Sequence, residues 1–232
     1  MRVACPGCEI RDRALCAGLS DAELAPLSAL KRRRRFAKGE PVIWAGDENM
    51  IFANVVSGVL KLNASTADGR EQIVGLMYPA DFIGRPYASS TRYNVVALTD
   101  AELCVFSRKH FEQALRTYDK LKRLLLQRTL DELDHSREWM LLLGRKTAEE
   151  KVASFLVQMA RRIGRGGCAR SPLDEFVLPL SRAQIADVLG LTIETVSRQM
   201  TRLRSAGVID LPTTRSIRVL NEIALSARAE QG

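Results

Sequence analysis

Leu180-Ser181-Arg182-Ala183-Gln184-Ile185-Ala186-Asp187-Val188-Leu189-Gly190-Leu191-Thr192-Ile193-Glu194-Thr195-Val196-Ser197-Arg198-Gln199-Met200 holds two helix starts and one break. Ser181 followed three residues later by Gln184 is a capping box, so a short helix starts there. Gly190 can take the left-handed turn that ends it. Thr192 caps a second helix, with Glu194 in its first turn, where the helix dipole favours negative charge. Gly207 closes that helix. Two short helices joined by a tight glycine turn spell a helix-turn-helix.

The second helix has two faces. Val196, Met200 and Leu203 repeat at helical spacing and belong to a core. Glu194, Ser197, Arg198 and Thr201 fall at i, i+3, i+4 and i+7 on another face. Such a polar face is ordinarily just solvated. Here it holds the groups that match base edges in the DNA major groove: Arg for guanine, Glu for cytosine N4, Ser or Thr for either. Ser181 and Thr192, at the two helix starts, join them as candidate DNA contacts. Val208–Leu211 and Ser216–Leu220 read as strands around Pro212-Thr213-Thr214-Arg215, the wing of a winged helix. The competing reading is a purely structural three-helix subdomain.

Upstream, Thr147 and Glu150 form another capping box, opening a helix through about Arg162. A loop to Pro172 and a strand near Phe176–Leu178 lead into the reader. The winged-helix domain is therefore expected over 147–232, with Gly144-Arg145-Lys146 as its boundary. Before that, residues 107–144 contain no proline and a glycine only at the end. After a short helix, Thr117 is positioned to cap a long one over 117–143, roughly 40 Å at about 1.5 Å per residue. Leu126, Thr129, Leu133, Ser136 and Met140 alternate by three and four, the spacing of a coiled-coil seam. That predicts a homodimer interface, against the plainer reading of a helix packed on its own domain. Helix-turn-helix proteins commonly read palindromes as dimers. The small polar Thr129 and Ser136 weaken such a seam, which suits a switchable pairing.

Residues 20–116 carry a different pattern. Ser20, with Glu23 three later, starts a short helix to Leu30. Short apolar runs then follow (Met50–Val56, Val59–Ala64, Gln72–Met77, Asn94–Leu98, Leu103–Phe106), punctuated by Gly39, Gly46, Gly58, Gly69 and Gly84. Strands at that spacing predict an antiparallel barrel or jelly roll. The fold class expected is thus α+β: a β-roll, a long helix and a winged helix-turn-helix. Lys31–Arg35 is a run of five cations, read as a solvated face.

Residues 1–19 are rich in cysteine. Cys5 and Cys8 are a Cys-x2-Cys pair, and Cys16 follows after seven residues. Close thiolates on a Gly/Pro turn can hold zinc or an iron–sulfur cluster; a redox pair or untethered thiols are the bland alternative. A closed site needs a fourth ligand. Cys104 lies in an expected core strand and Cys168 in an expected loop, where it reads as a free thiol. His110 and His135 could substitute. The pattern alone leaves the choice open.

The chain of 232 residues carries a net charge of +8 and five cysteines. The length suits one or two domains with real cores. The charge favours an anionic partner such as nucleic acid. No apolar run reaches membrane-spanning length, and Met1-Arg2-Val3-Ala4 runs straight into Cys5 without a signal-peptide core. A cytoplasmic location is expected, where cysteines bind metals more often than they form disulfides. There is no Gly-x-Gly-x-x-Gly and no P-loop, so no enzyme is expected. An iron–sulfur electron carrier is the alternative from another class.

The order of roll, long helix and winged helix resembles the CRP/FNR superfamily of bacterial transcription regulators over essentially the whole chain. The specific motifs are Glu194-Thr195-Val196-Ser197-Arg198, Leu189-Gly190-Leu191-Thr192, and Met140-Leu141-Leu142-Leu143-Gly144-Arg145-Lys146-Thr147-Ala148. With the N-terminal cysteines they are similar to the FNR branch, especially its FnrL-like group. The resemblance implies an oxygen-labile [4Fe-4S] cluster on Cys5, Cys8, Cys16 and Cys104, taking Cys104 over Cys168. It also implies a TTGAT-like palindromic site and RNA polymerase as a partner, with the Ala67-Asp68-Gly69-Arg70 turn as a candidate contact. The seven-residue spacer before Cys16 departs from the enteric form and matches the FnrL-like group, and Ser136 stands where the enteric form has an acid. The nucleotide-binding branch has Gly-Glu and a later Arg-Ser or Arg-Thr. Here the chain has Gly84-Arg85-Pro86 and Arg92-Tyr93, so no cyclic nucleotide is expected.

Overall fold

A computed structural model describes residues 5–48, 51–66, 68, 69, 71–163 and 175–230. Cys168 and two residues of the expected polymerase-contacting turn, Ala67 and Arg70, lie outside the described residues. The chain divides into two compact units, Met1–Asp134 and His135–Gly232.

In the first unit eight strands are described: β1 (Arg32–Phe36), β2 (Pro41–Ile43), β3 (Phe52–Ser57), β4 (Leu60–Ser65), β5 (Glu71–Met77), β6 (Phe82–Ile83), β7 (Asn94–Ala97) and β8 (Ala101–Phe106). They form two antiparallel four-stranded sheets, β1-β8-β3-β6 and β2-β7-β4-β5. This is the expected roll. Phe36, Val55, Leu60, Ile83, Val95 and Leu103 fill the space between the sheets.

The first sheet is covered on its other face as well. Because side chains alternate along a strand, β3 and β8 also send Phe52, Val56, Cys104 and Phe106 outward. There they meet Leu15, Leu24, Phe111, Leu115 and Leu121. Those five come from a short 3-10 turn (Leu15–Gly18), α1 (Asp21–Leu30), α2 (Arg108–Thr117) and the start of α3 (Asp119–Arg145). Phe82 and Phe111 stack at 4.9 Å in the same cluster. Ser20 caps α1 in the expected capping box with Glu23.

The long helix differs from the sequence reading at both ends. Thr117 does not cap it. Thr117 is the last residue of α2, and its hydroxyl donates to the Gln113 carbonyl at 3.0 Å. Tyr118 is extended (φ −112°, ψ 103°) and separates the two helices. At the other end α3 runs through Gly144 to Arg145. One glycine costs a helix only about 1 kcal/mol against alanine, so it need not end one.

Gly58, between β3 and β4, has φ +83°. A Cβ there would lie 2.7 Å from the Ala101 Cα and 2.8 Å from its Cβ, and against the Asp100 carbonyl as well. Backbone cannot retreat cheaply, and the left-handed conformation adds its own strain. Gly58→Ala is expected to destabilise the roll by about 3 kcal/mol, read as a lowered urea midpoint with an unchanged slope.

The second unit takes the rest of α3, then α4 (Ala148–Ile163), β9 (Phe176–Val177), α5 (Arg182–Leu189), α6 (Ile193–Ser205), β10 (Ile209–Asp210), β11 (Ser216–Val219) and α7 (Glu222–Ala229). The small sheet runs β10-β11-β9, all antiparallel, which is the expected wing with one strand added. Thr147 and Glu150 exchange their capping bonds at 2.6 and 3.4 Å. The sequence reading did not include α7. Asn221 caps it, and the Arg228–Glu149 ion pair at 2.5 Å and the Lys146 amine on the Ala229 carbonyl at 2.5 Å tie it to the segment around α4.

Candidate metal centre and nucleic-acid interface

Strand register sets the first site. Arg33 on β1, Cys104 on β8 and Asn54 on β3 lie directly opposite one another across three neighbouring strands, so all three project from the same outer face. Over this row lies the N-terminal segment, whose Cys5, Cys8 and Cys16 pack into the same apolar cluster as Cys104. Lys31 donates from Nζ to the Cys5 sulfur at 2.9 Å. Arg33 Nη2 approaches the Cys8 sulfur at 3.5 Å, while its Nη1 donates to Glu102 at 2.6 Å. Asn54 Nδ2 reaches the Cys16 sulfur at 3.4 Å.

Two of the thiols, Cys104 and Cys16, are held toward their neutral form. Burial pushes the Cys104 thiol up to about 12, with Cys16 nearby adding to it and Lys31 and Arg33 opposing. Burial likewise pushes Cys16 up to about 11, with Cys5 and Cys8 adding and Arg11 and Lys31 opposing. A cationic metal centre reverses that preference, because it binds the thiolate. Two buried polar atoms beside the sulfurs, Arg33 Nε and Asn54 Oδ1, have no partner. The unfilled Arg33 Nε is a buried donor on a guanidinium that already approaches the Cys8 sulfur, which fits an anionic sulfur-rich group; Asn54 meets it through Nδ2 and not through its oxygen. Among the described residues, no three His, Cys, Asp or Glu side chains close on a point that a single ion could occupy. Zinc, with Zn–S near 2.3 Å, would require the cysteines to close in; a four-iron core spreads its thiolates more widely. His110 and His135 are exposed on α2 and α3.

The expectation of a solvated cationic run is corrected here. Lys31 is 8% exposed, and Arg33 is half-buried against Glu102 and the cysteines. Strand alternation divides the run: Arg32 and Arg34 fall on the face opposite Arg33, and Arg34 sits 4.9 Å over the Phe36 ring. Lys31, Arg33 and Asn54 were not among the residues expected at the site. The available signal was the period of two running back from Phe36.

The N-terminal segment also touches the long helix. Arg128 of α3 donates to the Arg13 carbonyl, and Leu124 of α3 lies 3.2 Å from the Cβ position of Gly18. Arg11 holds the segment's shape through the carbonyls of Cys16 and Leu19, the latter at 2.6 Å.

The second site is α6. Ser181 and Gln184 form the capping box of α5, Gly190 sits at φ +61°, and Thr192 caps α6 by accepting from the Thr195 N–H. Val196, Met200 and Leu203 are buried, which fixes the helix's rotation. Glu194, Arg198 and Thr201 are then exposed and Ser197 half-exposed. The Glu194 carboxyl is held below the usual carboxylate range by its own backbone N–H and then by the Thr192 hydroxyl, so it is an acceptor at neutral pH. The Thr201 hydroxyl donates to the Ser197 carbonyl at 3.0 Å.

On α3, Leu126, Leu133 and Met140 are 60%, 43% and 64% exposed, and Thr129 and Ser136 are exposed on the same row. Leu130 and Leu141 extend the apolar surface beside it. Thr129 bonds its own helix, donating to the Leu125 carbonyl at 2.8 Å. Of the positions compared with the nucleotide-binding branch, Gly84 (φ +138°) leaves no room for a Cβ against the Phe52 ring, and Arg85, Arg92 and Tyr93 are exposed. No helix among the described residues is long and apolar enough to cross a membrane.

Known proteins align with both units. Residues 33–118 match the family model of the cyclic nucleotide-binding domain, and residues 150–228 that of the Crp-like helix-turn-helix domain. The chain is 48% identical over 215 residues to the transcriptional activator protein FnrL of Cereibacter sphaeroides, covering 92% of this chain and 86% of that one. It is 38% identical over 205 residues to the nitrogen fixation regulation protein FixK of Bradyrhizobium diazoefficiens, covering 88% and 85%. Among solved structures, FixK2 from Bradyrhizobium japonicum superposes with a TM-score of 0.77 at 33% identity, over 85% of this chain and 96% of that one.

Proposed function

We propose, for a chain that belongs to the CRP/FNR family of transcription regulators, that it activates transcription in response to falling oxygen. DNA binding follows from its Crp-like helix-turn-helix domain. The finer reading is that Cys5, Cys8, Cys16 and Cys104 hold a [4Fe-4S] cluster, one per subunit. The observation that carries it is the convergence of three N-terminal cysteines on one strand cysteine, with N–H donors aimed at their sulfurs.

When bound, such a cluster supplies iron–sulfur bonds that oxygen can break, a link present only in its absence. The protein's own residues do the rest. Cys104 anchors the link on β8, and the N-terminal segment carries it to α3 through Leu15, Leu121, Leu124 and the Arg128–Arg13 contact. A segment held in place favours pairing of α3 along Leu126, Thr129, Leu133, Ser136 and Met140 in a homodimer. Pairing sets two α6 helices roughly 34 Å apart on one face of a palindromic, TTGAT-like site. There Arg198 reads guanine, Glu194 accepts from cytosine, Ser197 and Thr201 lie nearby, and Ser181 and Thr192 meet the backbone at the helix starts. A 100-fold preference of the cluster for the paired state is worth about 2.7 kcal/mol of coupling. RNA polymerase is the downstream partner, and no cyclic nucleotide is involved.

The test is the visible absorption of protein purified without oxygen, before and after air. A brown charge-transfer band that fades in air is expected, with DNA binding lost in step. A colourless protein after anaerobic supply of iron and sulfide would sink the cluster reading. Zinc bound by the four cysteines would then explain a site whose DNA binding ignores air.

A further inference from the structure

We infer that Lys31 and Arg33 form a cationic cradle that sets the reduction potential and the air lifetime of the metal centre. This rests on the reading that the four cysteines hold an iron–sulfur cluster. Lys31 is a buried amine, and among the described residues its hydrogen-bond partner is the Cys5 sulfur at 2.9 Å, with no carboxylate paired to it. A buried cation without an anion costs several kcal/mol, and a cysteine sulfur is a weak acceptor that offsets little of this. Arg33 is shared between Glu102 and Cys8, yet its Nε is buried with no partner. Arg33 lies on the face that carries Cys104, and Lys31, just before β1, is close enough to act on the same thiol. Their combined demand is for an anion larger than the Glu102 carboxylate and located at the sulfurs. Four thiolates around an iron–sulfur core meet that demand, since the whole group is net negative and its sulfurs accept hydrogen bonds.

Charge and N–H donation at the sulfurs are levers on cluster potential. Positive charge beside the centre stabilises the state with one more electron. It therefore raises the potential and opposes electron loss to oxygen. Arg32, on the same strand but exposed and facing away, is screened by solvent and should contribute little.

The experiment uses full-length protein reconstituted with iron and sulfide without oxygen: wild type, Lys31→Met, Lys31→Arg, Arg33→Gln and Arg32→Gln. Iron and sulfide content, midpoint potential by spectroelectrochemical titration, and fading rate in air are read for each. Urea midpoints of the metal-free forms confirm folding. Lys31→Met and Arg33→Gln are expected to lower the reduced-to-oxidised ratio at fixed potential about tenfold, equivalent to about 59 mV for one electron, and to fade faster. Lys31→Arg and Arg32→Gln should behave as wild type. Loss of iron from Lys31→Met with full loading of Lys31→Arg also supports the cradle. Unchanged potentials and fading in Lys31→Met and Arg33→Gln would overturn it, as would equal loss of loading in both Lys31 variants, which would mean a role in shape and not charge. A wild type that takes up no iron and sulfide fails at the first measurement, and it is the cluster reading that falls there.

Discussion

Replacing Cys104 with alanine is expected to leave a folded, colourless protein whose oxygen-free DNA affinity is about 100-fold lower, the full coupling assigned to the cluster. The side chain is buried in the middle of β8, between Arg33 and Asn54 in register. Its removal leaves a cavity smaller than a methylene pair, a cost of about 1 kcal/mol, so the roll should persist. What is lost is the proposed ligand that would join the N-terminal segment to the sheet. The measurements are iron content, anaerobic binding to a palindromic duplex by fluorescence anisotropy, and the sedimentation of the protein alone. Cys168→Ser serves as the comparison and should retain colour, dimer and affinity. An alanine variant that stays brown with full iron would remove Cys104 from the ligand set.

Arg198→Ala should weaken specific binding by roughly 1–3 kcal/mol and relax the preference at one base pair of each half-site. Buried Val196, Met200 and Leu203 fix how α6 is rotated, which leaves Arg198 exposed on the opposite side with Glu194 one turn before it. Among the described residues, the Arg198 side chain makes no ion pair or hydrogen bond. Its loss should therefore change folding stability by no more than about 0.5 kcal/mol, and the effect belongs to binding. Affinity is measured at one salt concentration on sites varied base by base. Equal weakening on every sequence, with a salt slope reduced by about one, would place Arg198 on a phosphate instead.

The features legible in the sequence were the local ones. Ser20 with Glu23, Thr147 with Glu150, and Ser181 with Gln184 each satisfy orphan helix donors within one turn, so three residues of text decide the structure. Gly190 ends α5 for the same reason, needing only its own φ. The two-residue alternation of the roll and the hairpin after Gly207 likewise depend on neighbours in the chain. The Tyr118 break depends on more. Thr117 is an adequate cap by type, but the packing of Phe111, Leu115 and Leu121 into one cluster holds α2 and α3 as separate helices, and Thr117 bonds backward into α2.

The cysteine site divides in the same way. The sequence by itself determined a DNA-reading helix, a roll, a long apolar-seamed helix and a cysteine triplet able to hold a soft metal, because each is a pattern of near neighbours. The family resemblance added Cys104 as the proposed fourth ligand. Only the tertiary structure decided that Cys104 stands in a row with Arg33 and Asn54, and that Lys31 is turned inward onto Cys5. The reason is that a strand's alternation says which residues share a face but not what covers that face. Here both faces of one sheet are covered, the second by the N-terminal segment itself, so a run of five cations is split between solvent and the sulfurs.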